Sequence, residues 1–163
     1  MFLGFIFKKL KYHLVVLKKE FQLYKYSKKN NCNLGKNLNF LGSLENISIG
    51  EHTTVNNNAN FRFTNAKINI GKNCLIARNV SILTKAYNID NQKNITIEDM
   101  YAKDVNIGNN VLLGSNVVIM PGISIGNHSV VGAGSVVTKN IGDFEVWAGV
   151  PAKFIRNRNV SER

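Results

Sequence analysis

The sequence predicts an all-β solenoid preceded by an amphipathic α-helix. Three observations predict it: a hexapeptide period through most of the chain, asparagine or glycine at one fixed place in that period, and a heptad-like seam confined to residues 1–30. From Ile107 the frame runs on without a slip. Ile107, Leu113, Ile119, Ile125, Val131 and Val137 begin the hexapeptides IGNNVL, LGSNVV, IMPGIS, IGNHSV, VGAGSV and VTKNIG. The same frame covers IGKNCL, IARNVS and ILTKAY from Ile70, and IGEHTT and VNNNAN from Ile49, so at least eleven repeats are visible.

Each place in the hexapeptide has a physical task. The first takes a branched apolar side chain that fills an interior, and the fifth a smaller inward residue such as Val111, Val117, Ser129 or Ser135. Places three and four turn the chain. Place four is Asn73, Asn79, Asn110, Asn116, Asn140, Gly122 or Gly134, residues able to take a positive φ. Three such sides close one triangular coil of 18 residues, about six per side. Residues 85–106 break the frame and read as a loop leaving one corner, the kind of excursion that carries function on a regular scaffold. The expected organisation is a helix over 1–30, a solenoid over 31–146 with loop 85–106, and a closing segment over 147–163.

The helix is read from Leu3, Phe7, Leu10, Leu14, Leu17, Phe21 and Tyr24, which alternate spacings of four and three. Its apolar runs fall far short of the roughly 20 residues a membrane span needs. Two roles stay open: packing on its own or sister domains, or lying on the anionic inner face of a membrane as a peripheral contact. Charge decides little between them but excludes another class. Eight of the 21 Lys and Arg residues fall in residues 1–30, against Glu20 alone, so most of the net +11 is local. The rest has no basic stripe interleaved with aromatics, and nucleic-acid binding is not expected.

Cys32 and Cys74 lack metal-ligand spacing, and no secretory pattern precedes them, which points to a reducing cytoplasm. The three histidines are equally scattered. His52 and His128 occupy place four, where histidine substitutes for asparagine, and His13 lies in the helix, so no metal site is expected.

From Ile70 to Arg156 the chain resembles the hexapeptide-repeat acyltransferases, and within them the galactoside and maltose O-acetyltransferase group. The stretches IGNNVLLGSNVVIMPGISIGNHSVVGAGSVVTKN and AGVPAKFIR carry the resemblance. It implies a left-handed parallel β-helix, although crossover rules by themselves favour the right hand. It also implies a homotrimer with grooves between chains, acetyl-CoA as donor, and a saccharide hydroxyl as acceptor, in surface polysaccharide biosynthesis. Direct transfer, with the oxyanion held by a backbone amide, needs no metal. The resemblance places Ser115 and Ala133 on the pantetheine arm, with Thr138 and Lys139 at the next contact. Lys153, where the group often carries arginine, and Arg156 would then hold the coenzyme phosphates.

The catalytic segment departs from the group. A histidine in a T-x-x-H-x-x-D segment is expected 16 residues after the glycine matched by Gly71, and that position is Tyr87 in TKAYNID. Asp90 matches the final aspartate and Asn57 an asparagine that contacts acceptor hydroxyls, but the acidic residue eight positions further is Asn65 here. A phenol is protonated at neutral pH and is a poor general base, a loss that typically costs ~10²- to 10⁴-fold. Three expectations follow: an O-acetyltransferase whose base is Asp90 or a neighbouring chain's His52, an N-acetyltransferase of an amino sugar, or a trimeric scaffold without catalysis.

Overall fold

The computed structural model describes residues 20–63, 65–89 and 99–159. Short strands wind into coils, and the coils stack into three parallel faces. Face A collects β1 (Asn33–Leu34), β4 (Thr54–Val55), β7 (Leu75–Ile76), β12 (Leu112–Leu113), β15 (Val130–Val131) and β17 (Glu145–Gly149). Face B collects β2 (Asn39–Leu41), β5 (Asn60–Arg62), β8 (Ser81–Leu83), β13 (Val118–Ile119) and β16 (Val136–Val137). Face C collects β3 (Ile47–Ile49), β6 (Ile68–Ile70), β11 (Val105–Ile107) and β14 (Ser124–Ile125).

The interior is built by the first-place residues. Val55, Phe61, Ile76, Ile82, Leu113 and Ile119 are wholly buried, each worth about 1.5–3 kcal/mol of burial. Phe40 and Phe61 stack at 4.9 Å near the leading end, with Phe63 edge-on to Phe40. The inward serines are satisfied rather than stranded: Ser129 donates to the Gly142 carbonyl at 2.6 Å, and Ser135 to that of Gly132 at 2.7 Å.

The turn chemistry follows the hexapeptide at two of the three corners. Between faces A and B, Asn37, Asn58, Asn79, Asn116 and Gly134 have φ between 55° and 71°, and between faces C and A so do His52, Asn73, Asn110, His128 and Phe144. Asparagines also ladder from coil to coil, with Asn58 donating to Asn79 at 3.2 Å and Asn79 to Asn116 at 3.0 Å. The two histidines therefore hold the left-handed place expected of them, and His128 stacks on Phe144 at 4.6 Å.

The third corner, between faces B and C, absorbs every irregularity. Stacked partners lie 21 residues apart in the first coils, 37 across the next, then 18, then 16. The frame from Ile107 thus does slip: Ile125 pairs with Ile141, and Asn140 is not among the positive-φ residues because its corner is shortened. Asn140 instead accepts the Ser124 amide at 2.9 Å. A new hexapeptide, IGDFEV, starts at Ile141, puts Phe144 at φ 59°, and brings Trp147 into register with Val131.

The excursion at this corner is an antiparallel hairpin of β9 (Lys85–Tyr87) and β10 (Met100–Ala102). It ends before Val105, which already pairs with Ile68 on face C, so Val105 and Asn106 belong to the solenoid rather than to the loop. At the trailing end β18 (Ala152–Asn157) folds back on β17 through the cis Val150–Pro151 bond, so the last strand of the coil and the closing segment form one hairpin.

Helix α1 covers residues 20–30 of the described chain. Leu23 and Tyr26 pack against the core, and the Tyr26 hydroxyl donates to the Ile47 carbonyl at 3.1 Å while accepting from the Ile49 amide at 3.0 Å. Phe21 and Tyr24, the seam residues within α1, face outward instead, with Lys25 and Lys28 over their rings. Leu3, Phe7, Leu10, Leu14 and Leu17 lie outside the described residues. Among the described residues no helix is long and apolar enough to cross a membrane.

Candidate functional site

The A/B corner has a line of residues at place three of successive hexapeptides: Lys36, Asn57, Arg78, Ser115 and Ala133. Backbone bonds hold the line, with Gly134 donating to the Ser115 carbonyl at 2.8 Å and the Lys36 amide donating to Asn57 Oδ1 at 2.8 Å. It is also slim. A Cβ on Gly114 would lie 2.5 Å from the Ala133 nitrogen, so the coils approach there as closely as backbone allows. The closing hairpin continues the line: Gly149 donates to Ser135 Oγ at 3.0 Å, and Lys153 pairs with Ala148.

Asn57, Ser115, Ala133 and Lys153 are thus brought together along one edge. Lys153 and Arg156 are exposed on β18, and Arg156 donates to the Asn157 carbonyl at 3.0 Å. A surface of small residues beside exposed cations can accept a long, thin, anionic molecule.

The other predicted residues gather at the B/C corner. Asn65 is exposed in the turn before face C, and Thr138 and Lys139 are exposed just past β16. Tyr87 ends β9 opposite Met100, 47% exposed. Its hairpin is tied down at the base, where Thr84 Oγ1 donates to the Arg62 carbonyl at 3.1 Å and Lys103 donates to the Thr84 carbonyl at 2.8 Å. Asp90 lies outside the described residues. Within one chain, face B separates Tyr87 from the Ser115 line.

His52 belongs to neither corner. It stands between faces C and A, beside the Glu51–Lys72 ion pair of 2.7 Å. Among the described residues no group of three His, Cys, Asp or Glu could hold a metal ion. An open groove on the outside of face C, lined by Ser48, Asn69, Asn106, Ser124 and Asn127 among others, contains none of the predicted site residues. Several of its side chains bond one another from coil to coil, as in Ser48 to Asn69 at 3.2 Å and Asn69 to Asn106 at 2.9 Å. Arg78, which the sequence does not single out, stands at place three of IARNVS in column with Asn57 and Ser115.

Coils of this kind define the left-handed parallel β-helix built on hexapeptides. The bacterial transferase hexapeptide model, of six repeats, matches residues 104–139. Galactoside O-acetyltransferase of Escherichia coli (strain K12) is 44% identical over 118 residues, covering 69% of this chain and 58% of that protein. A maltose O-acetyltransferase from Clostridium difficile 630 superposes with a TM-score of 0.69 at 37% identity, covering 79% of this chain and 67% of its own. A hexapeptide-repeat acetyltransferase from Vibrio cholerae O1, solved with acetyl coenzyme A, superposes at 0.70 with 27% identity, covering 86% and 79%. The chain belongs to the hexapeptide-repeat acetyltransferase family. It spans between 53% and 58% of the length of the first three curated relatives.

Proposed function

We propose that the protein is a homotrimeric, cytoplasmic O-acetyltransferase that moves an acetyl group from acetyl-CoA to a saccharide hydroxyl in surface polysaccharide assembly. One observation carries the reading: Asn57, Ser115, Ala133 and Lys153 on one side, and Asn65, Tyr87, Thr138 and Lys139 on the other, sort onto the two corners flanking face B. A threefold contact is heterologous, so it brings unlike surfaces of neighbouring chains together. Packing face B around the axis would set the Asn57–Ser115–Ala133 line of one chain against Asn65, Tyr87, Thr138 and Lys139 of the next.

In that groove acetyl-CoA supplies an activated thioester. The slim Gly114–Ala133 edge admits the pantetheine arm, and Lys139, Lys153 and Arg156 hold the phosphates. Asn57 orients the acceptor, and Tyr87 hydrogen-bonds the attacking hydroxyl. Asp90 takes its proton in place of the missing imidazole. His52 stands on the third corner, away from face B, and takes no part in this groove. The exposed Phe21 and Tyr24, flanked by Lys25 and Lys28, support a peripheral contact with an anionic membrane. Deleting residues 1–24 should then release the protein from anionic vesicles.

Calorimetric titration with acetyl-CoA tests the donor site without knowledge of the acceptor. The wild type should bind, and a Lys139→Ala, Lys153→Ala double variant should bind at least about 10-fold more weakly, as expected for charge-assisted contacts. A folded trimer that binds no acetyl-CoA would instead favour a scaffold.

A further inference from the structure

We propose that Arg78 makes the acceptor site selective for an anionic saccharide, one carrying a carboxylate or a phosphate. The inference rests on the reading above and adds the class of acceptor. Arg78 stands between Asn57, assigned to the acceptor, and Ser115, assigned to the donor, in the same place-three column, so it lies where the two substrates meet. Its carbonyl is used, accepting the Asn116 amide at 3.0 Å. Its guanidinium is exposed and, among the described residues, makes no hydrogen bond or ion pair.

Among the described residues, the A/B corner has no acid to balance it. Along the A/B corner, residues 35–38, 56–59, 77–80, 114–117 and 132–135 contain Lys36 and Arg78 and no carboxylate. Glu51, Asp143 and Glu145 lie at the C/A corner, and Glu45, Asp99 and Asp104 at the B/C corner. Glu20 of α1 lines a cavity together with Lys36, whereas Arg78 is not among that cavity's lining. Asn57 Oδ1 is occupied by the Lys36 amide, which leaves the Asn57 NH₂ as its free polar group. On the hairpin, alternation puts Lys85 on the same side as Tyr87, and Asn65 is neutral.

Against Arg78 and Lys85 the site assigned above has the single carboxylate Asp90, which takes the proton, so it holds an excess of positive charge. A neutral sugar's hydroxyls can accept from the guanidinium but leave its charge uncompensated when docking excludes water, which costs binding energy. A carboxylate or phosphate accepts from several donors at once, and the planar fork of arginine suits it bidentately. Charged hydrogen bonds of this kind correspond to discrimination of about 10-fold or more.

The experiment uses the full chain and three matched acceptors: galactose, galacturonate and galactose 6-phosphate. Acetyl transfer is followed as thiol release, and acceptor binding is measured separately by titration without donor. In the wild type at least one anionic sugar should exceed galactose about 10-fold in kcat/KM or in affinity, and the two arms tell carboxylate from phosphate. Arg78→Ala should bring that ratio close to one, Arg78→Lys should recover part of it, and Lys72→Gln at the far corner should leave it unchanged. Equal use of neutral and anionic sugars, or an Arg78→Ala variant that keeps the ratio, overturns the inference. Acetyl-CoA binding in the same preparations separates the two failures. If the donor binds and no anion is preferred, only the inference falls. If the donor does not bind, the transferase reading falls, and the acceptor titration still decides for or against the anion.

Discussion

Tyr87 concentrates the chemical question in one side chain. Its hairpin is anchored through Thr84 whatever residue stands at 87, so Tyr87→His should leave the fold intact and restore the imidazole that the T-x-x-H-x-x-D resemblance implies at this position. We expect kcat to rise at least about 10-fold, with acetyl-CoA affinity unchanged, since general bases contribute ~10²- to 10⁴-fold. A rate that does not move would assign the proton to another group. Gly42 shows how tightly a single corner residue can be set. Its φ is +147°, and an added Cβ would lie 1.9 Å from the Phe63 carbonyl oxygen, which cannot yield because the Phe63 amide is itself bonded to Leu41. Gly42→Ala should cost about 3 kcal/mol or more, read from the urea midpoint.

At the scale of elements, the A/B corner joins two separable contributions, backbone conformation and side-chain laddering. Asn79 has φ 60°, donates to Asn116 and accepts from Asn58. Asn79→Gly keeps the conformation and loses only the ladder, for about 1 kcal/mol. Asn79→Ala loses both, for about 2–3 kcal/mol. Equal losses in thermal unfolding would show that the ladder alone matters. The B/C corner behaves differently because its residues need not follow the hexapeptide. Lengthening a corner loop costs closure entropy that grows slowly with length, so a whole hairpin can leave there without disturbing the stack. That is why loop 85–106 was legible as an interruption while its internal pairing, Tyr87 opposite Met100, was not: neither strand has an alternating pattern long enough to announce it.

At the scale of the molecule, pH acts on groups sealed near the leading coils. Burial pushes the Cys32 and Cys74 thiols and the Tyr26 phenol above their ordinary values. Each group then binds its proton more tightly when folded, so its contribution is fully present below the unfolded pKa and is lost as pH rises toward the folded one. Thermal stability should therefore fall above about pH 8.5. Replacing both cysteines by alanine should flatten the first part of that decline, leaving the part due to Tyr26. A decline unchanged by the double variant would assign it elsewhere. Glu51 has the opposite sign, since the Lys72 hydrogen bond holds its carboxyl low, and its small contribution is lost as pH falls through the carboxylate range.

The sequence by itself determined the solenoid, because a period of six specifies which side chains point inward and which residue must turn left-handed, and both demands are local. It also marked the candidate residues, since Asn57, Ser115, Ala133 and Lys153 stand in motifs that survive in linear order. Only the tertiary structure decided where coils of 21, 37 and 16 residues depart from the regular 18, because hydrophobic alternation does not count the residues of an irregular corner. It likewise separated Phe21 and Tyr24 from the core, since an amphipathic pattern states that a face is apolar but not what covers it. Stacking the coils is what put Arg78 between Asn57 and Ser115. Residues a full coil apart in sequence become neighbours across one strand spacing, and no local rule foretells the chemistry of that column.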